Sequence, residues 1–198
     1  MKKKEMNGKD LLLAFLYSPG VSPQNNEPIV GRTKLTKMMF LFEKQIYPRF
    51  FEDTIQIELP VFEPYYFGPF SKQLFEDLSF FESIGMIEST MTNIPLSAAD
   101  RVESAGVFDE EDEWAEASFD DVSEQYELSY ALSQNGQKYV AEKVWPSFTQ
   151  QQIDKLIAFK AQINKISLDS LLRYVYRQYP EEAKKSIIAD RYLGEGGI

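Results

Sequence analysis

Three basic side chains, Arg32, Lys34 and Lys37, stand close together in residues 31–37 (GRTKLTK), where an amphipathic helix is predicted to begin. Thr33 is its predicted capping residue. The macrodipole disfavours cations at a helix N-terminus, so their presence there indicates an anion-binding site made with backbone N–H groups. The anion would be a partner's carboxylate, a phosphate or the chain's own acidic residues, and a solvated basic turn is the alternative.

Four aromatic rings surround a Gly-Pro turn in residues 65–71 (YYFGPFS). Gly68 allows backbone angles that other residues resist, and Pro69 fixes the following φ angle. If Tyr65 and Tyr66 are exposed, they can stack on bases or fill a partner's pocket. Aromatic clusters at helix entries are more often core. We therefore interpret the turn as an architectural joint and keep the two tyrosines as candidate binding residues.

A second candidate contact face lies near the C-terminus. Arg173 and Arg177 are one helical turn apart on a predicted helix, beside Tyr174 and Tyr176. An ordinary polar helix surface explains this spacing equally well.

One segment makes the protein acidic. The net charge is −10, and residues 100–124 alone contain eleven acids and a single base, so the rest of the chain is electrically balanced. In residues 108–121 (FDEEDEWAEASFDD), Trp114 and two phenylalanines alternate with acids. This pattern is typical of segments whose rings anchor a partner while carboxylates steer it, and a solvated loop is the alternative. A calcium loop is not indicated, because no alternating ligands with a glycine turn occur.

The composition argues against most catalytic chemistry. The chain has no cysteine and no histidine, which excludes thiolate nucleophiles, Ser-His-Asp triads and the common zinc sites. It has no phosphate-binding or nucleophile-elbow motif. The sequence therefore predicts a non-enzyme without cofactor or metal.

The start, MKKKEMNGKDLLLAFLY, lacks a cleavage site and is interrupted by polar residues, so we expect a cytoplasmic protein that does not contact membranes.

Helix caps and apolar spacing predict the order of the elements. A helix capped by Asn7 or Asp10 runs to Tyr17, and a second runs from Thr33 to Pro48. The later elements are an extended passage over 55–67, a helix from Ser71 closed by Gly85, a β-hairpin of 86–92 with 126–133, and helices that begin after Ser133, Thr149 and Ser167.

This order predicts an α+β, mostly helical fold with a winged helix-turn-helix-like core. The hairpin is its wing, and the acidic insertion at about 97–124 lies between the hairpin strands. We predict a winged-helix-like domain over 1–145 and a C-terminal helical extension over 146–198 that packs on it.

Five segments together resemble one family. They are GRTKLTKMMFLFE (31–43), YYFGPFS (65–71), LSFFESIGMIE (78–88), YELSYALSQNGQKYV (126–140) and LLRYVYRQYPEEAKKS (171–186). The chain resembles the SocA-like or Panacea antitoxin domains and the YwgA-type bacterial and phage-associated proteins. That resemblance implies a protein that neutralises a toxin, or adapts it for proteolysis, by protein contact. The acidic insertion is not part of the resemblance.

Charge separates two functional hypotheses. The helix after Ser71 would be the reading helix of a winged-helix DNA-binding regulator, yet it carries three acids and one lysine. DNA affinity comes largely from neutralising phosphates. The sequence therefore favours a protein partner, such as a cognate toxin or a protease, over nucleic acid, and a second copy of the chain is also considered. A DNA-binding regulator is the alternative.

Overall fold

The computed structural model describes residues 3–95 and 126–193, and it is α+β and mostly helical. The strands are β1 (Lys4–Met6), β2 (Ile29–Val30), β3 (Ile55–Ile57), β4 (Glu63–Tyr65), β5 (Gly68–Phe70), β6 (Ile87–Pro95) and β7 (Tyr126–Leu132). The helices are α1 (Gly8–Tyr17), α2 (Arg32–Leu41), α3 (Tyr47–Phe50), α4 (Lys72–Ser83), α5 (Gln134–Tyr139), α6 (Gln150–Lys165), α7 (Leu168–Gln178), α8 (Pro180–Ala183) and α9 (Ala189–Leu193).

Most helix starts follow their predicted caps. The side chain of Asn7 accepts a hydrogen bond from the Lys9 N–H, and that of Ser71 accepts one from the Leu74 N–H. Thr149 begins α6 with a full capping box. These contacts satisfy backbone donors that have no partner inside the helix, which is why short polar side chains mark the boundaries so reliably.

The predicted start and end of α2 are both wrong. The helix begins at Arg32 after Gly31, whose φ of 90° suits glycine and whose N–H donates to the Leu128 carbonyl of β7, so Thr33 lies inside the first turn. The helix also does not end at Pro48. A π-helical turn (Phe42–Ile46) leads into α3, and a wider turn there accommodates a proline that lacks an N–H.

The predicted hairpin is confirmed. Strands β6 and β7 are antiparallel, with Ile87 opposite Leu132, and the sheet order is β2-β7-β6. The acidic insertion and Trp114 lie outside the described residues. The predicted extended passage contains two separate strands: β3 pairs in parallel with β1, and β4 pairs with β5 in a tight hairpin that places Tyr65 opposite Gly68.

A single hydrophobic core joins the N-terminal and C-terminal helices. Residues 11–16 of α1 are all buried, and α1 therefore has no solvent-facing stripe in that part. Phe15 packs edge-to-face on Phe42 of the π-helical turn and on Phe159 of α6. Leu171 and Leu172 of α7 are fully buried in the same cluster. Residues beyond 146 thus share the core of the preceding part of the chain.

The cap of α4 provides a direct stability test. Ser71→Ala removes the hydroxyl that accepts from the Leu74 N–H and is expected to lower the free energy of unfolding by about 1 kcal/mol. Ser79→Ala, at an exposed position inside the same helix, is the control and should be neutral or slightly stabilising. Urea unfolding measures both, and equal effects of the two changes would contradict the capping role.

Candidate functional site

The β4–β5 hairpin, the start of α2 and the first turns of α4 line an open groove of about 680 Å³. Three half-buried rings, Tyr65, Phe70 and Phe75, form what we call the aromatic ladder along it. Exposed Val61 extends the apolar surface, and exposed charged residues surround it. The charged residues are Arg32, Lys72, Glu63 and Glu76. A concave surface with apolar walls and a few polar groups is the usual form of a binding site.

The ladder is ordered by the hairpin and the helix together. Tyr65 and Phe70 stack with ring centroids 5.0 Å apart and an interplanar angle of 29°. Phe70 and Phe75 stack at 5.0 Å and 28°. In the hairpin, Phe70 lies opposite Glu63, two residues before Tyr65, so the two rings are diagonal neighbours on one face. The cap at Ser71 then turns the chain into α4 and brings Phe75 onto the stack.

Arg32 is held at the groove by two contacts. Its Nε donates to the Tyr130 hydroxyl at 2.6 Å, and its guanidinium lies 5.8 Å from the centre of the Phe75 ring. Tyr130 is fully buried in β7, and burial raises the pKa of its phenol while Arg32 acts in the opposite direction. The phenol therefore stays neutral and serves as a fixed hydrogen-bond partner that orients the arginine.

The other two basic candidates point elsewhere. Lys34 donates to the Ile166 carbonyl at the C-terminal end of α6 at 2.9 Å. Lys37 is only 1% exposed and donates to the Pro69 carbonyl at 3.2 Å. Positions 34 and 37 lie about 160° and about 140° from position 32 around a helix, so the two lysine side chains leave the helix on the side away from Arg32. Of the three, only Arg32 lines the groove.

The aromatic turn has a buried half and an exposed half. Phe67, Gly68 and Pro69 are buried, which agrees with their interpretation as a joint, whereas Tyr65 lines the groove. Tyr66 is half-buried against Tyr65, and its carbonyl accepts hydrogen bonds from the Ser186 hydroxyl and the Ile187 N–H. Tyr66 therefore connects the turn to the C-terminal segment.

The two arginines of α7 lie on an exposed helix surface. Arg173 is bridged to Asp169 at 3.3 Å, one turn away, and Arg177 is also exposed. Tyr176 between them is completely buried, whereas Tyr174 accepts a hydrogen bond from Gln45. Neither arginine lines the groove.

Phe70 and Phe75 were missed as candidate site residues. The apolar stripe of α4 consists of Leu74, Leu78 and Phe81, and Phe75 stands outside it. A large ring on the predicted solvent face of a helix, next to an aromatic turn, is the signal that could have identified the ladder from the sequence.

Within residues 3–95 and 126–193, no cluster of three acidic side chains is placed to hold a metal ion. In the same part of the chain, no helix combines the length and apolar character needed to cross a membrane.

Comparison with protein-family models, with curated proteins and with solved structures finds no match to this chain.

Proposed function

We propose that this protein is a non-enzymatic, cytoplasmic interaction module of the antitoxin or adaptor kind, which binds another protein through the aromatic groove. The observation that carries the proposal is the aromatic ladder, three stacked rings half-exposed on the surface of a chain with a well-filled core. Contiguous exposed apolar surface usually marks an interaction site, and aromatic anchors dominate binding energy at protein interfaces.

The charges on α4 favour a polypeptide over nucleic acid. This helix carries Lys72 against three carboxylates, those of Glu76, Asp77 and Glu82. Asp77 is buried and paired with Lys9 at 3.3 Å, whereas Glu76 is exposed and Glu82 is half-buried. Because duplex DNA carries one negative charge for roughly every 1.7 Å of its axis, such a helix meets repulsion in a groove of DNA.

We also propose that the core is winged-helix-like, and the arrangement of elements supports this. Helix α1, strand β2, helices α2 and α4 and strands β6 and β7 occur in this order along the chain, with α3, β3, β4 and β5 between α2 and α4, and the sheet order is β2-β7-β6. Apart from the intervening elements, that order is the one expected of a winged helix-turn-helix core. A fold of this kind does not by itself assign DNA binding.

Affinity capture from a lysate of the source cells tests the proposal. We expect wild-type protein to retain a specific protein that the Tyr65→Ala/Phe75→Ala double variant loses. The matched control is Phe80→Ala/Tyr139→Ala, which removes two rings of 46% and 38% exposure that do not line the groove. The control variant should retain the same captured partner, as identified by mass spectrometry. Retention of that partner by the wild type and by both double variants would contradict the role of the groove.

Duplex DNA is the competing ligand in this test. A DNA-binding regulator would need a basic face from Arg32, Lys34, Lys37 and Lys44. Salt-sensitive gel shifts together with no retained protein would support that alternative. If no gel shift occurs even at low salt, the DNA-binding alternative is excluded.

A further inference from the structure

We propose that the groove recognises an extended peptide segment that places an aromatic side chain on the ladder and a neighbouring carboxylate on Arg32. This inference depends on the proposed function only for the statement that the ligand belongs to a protein. It goes further by naming the chemistry of the ligand and the residue that selects it.

The ladder offers the edges of its rings to a ligand, because Tyr66 lies against Tyr65 at one end of the stack and Arg32 lies over Phe75 at the other. Its ring centroids are 5.0 Å apart, so neighbouring rings are already in contact and nothing can insert between them. A ligand must therefore lie along the stack, where Val61, 69% exposed, continues the apolar surface. Because the rings are already stacked, little side-chain entropy is lost when a ligand ring packs there.

Arg32 supplies the polar selection. Its Nε is occupied by Tyr130 and its guanidinium lies over the Phe75 ring, so the direction of the side chain is set. No carboxylate of the described residues forms an ion pair with it. The remaining N–H groups at the end of a planar guanidinium match a carboxylate, which accepts two parallel hydrogen bonds.

The remaining charges of the groove exclude a polyanion. Glu63 and Glu76 line the same groove as Arg32 and Lys72, so its formal charges cancel. A nucleic-acid strand carries a phosphate on every nucleotide and would bring further negative charges against both glutamates. A peptide with one acid beside an aromatic residue places a single negative charge at Arg32. The groove therefore fits this peptide better than single-stranded nucleic acid.

Selection from a phage-displayed library of random heptapeptides tests the inference. On wild-type protein we expect enrichment of sequences with Trp, Phe or Tyr adjacent to Asp or Glu. On the Arg32→Gln variant, the acidic preference should disappear while the aromatic preference remains. Arg49→Gln, a change at an exposed arginine outside the groove, should leave both preferences intact.

Fluorescence anisotropy with the selected peptide, labelled with fluorescein, gives the magnitudes. Arg32→Gln should raise Kd about tenfold or more, the loss expected for a charge-assisted hydrogen bond. Val61→Lys should weaken binding several-fold without disturbing the core, because this side chain is exposed. Val21→Lys makes the same change at another exposed valine, 54% exposed, and should have no effect. A twelve-nucleotide oligothymidylate should not compete.

Failure of the inference is distinguishable from failure of the proposed function. The inference is overturned if no sequences are enriched, if Arg32→Gln keeps the acidic preference, or if oligothymidylate displaces the peptide. If a cellular protein is captured equally well by wild-type protein and by the groove variants, the inference is overturned, but a protein-binding function remains in place. Enrichment of the expected peptides without any captured protein supports the groove chemistry and counts against the proposed function.

Discussion

Replacing Lys160 by methionine is expected to lower the free energy of unfolding by about 3 kcal/mol, among the largest effects of any single change in this chain. Lys160 is completely buried in α6. Its Nζ donates to the carbonyls of Leu16 at 3.0 Å, Ser18 at 2.7 Å and Glu27 at 2.6 Å. The three N–H groups of one ammonium are therefore matched by three carbonyl acceptors.

These carbonyls belong to the end of α1 and to the loop that follows it. The last carbonyls of a helix have no partner inside it, and a cation at that end also complements the macrodipole. Methionine fills similar space but leaves three acceptors without this donor, two of them on buried residues. Each buried acceptor costs about 1–3 kcal/mol, partly offset because a charge is no longer buried. The hydrogen bonds of Lys160 thus connect α6 to α1 and to the loop that follows α1.

The measurement is best made at pH 6. Burial lowers the pKa of Lys160 to about 7, and the Glu27 carboxylate acts in the opposite direction. At pH 6 the ammonium form is populated and all three hydrogen bonds are present. Lys165→Met, at an exposed position of the same helix, is the control and should change urea stability by no more than about 0.5 kcal/mol. Similar losses for the two variants would contradict the proposed contribution of Lys160.

Gly68→Ala is expected to destabilise the protein by about 3 kcal/mol for two independent reasons. Gly68 has a φ of +82°, a conformation that side-chain-bearing residues rarely adopt. A Cβ atom at this position would lie 2.6 Å from Cε1 of Tyr176. That ring cannot retreat easily, because Tyr176 is fully buried and its hydroxyl is hydrogen-bonded to Ser186 at 2.8 Å.

Gly85 separates the two causes. It also has a positive φ, +68°, but a Cβ there would meet nothing within 4 Å. Gly85→Ala should therefore cost only about 1 kcal/mol, the backbone part of the effect. Thermal and urea unfolding of both variants measure the difference, which reports the steric contribution of Tyr176. If the two alanine variants were equally stable, the close approach of Gly68 to Tyr176 would be refuted.

The sequence alone determined those parts of the fold that depend on neighbouring residues. Ser71 and Thr149 mark helix starts because a short polar side chain satisfies backbone donors only two or three residues away. Strands β6 and β7 were predicted from their composition although a long acidic insertion separates them, because β-forming residues and turn signals are local too. The same kind of local evidence indicates Arg32 and Tyr65 as candidate binding residues.

Only the tertiary structure decided how these residues are used. It directs Arg32 to the groove but Lys34 and Lys37 to backbone carbonyls, since 3.6 residues per turn send nearby side chains in different directions. It places Lys160 against residues more than 130 positions away, and it brings Tyr176 onto Gly68. It also assembles the aromatic ladder, because stacking requires the hairpin register and the entry angle of α4 at once. Such contacts depend on the packing of distant segments, which short-range spacing and composition do not encode.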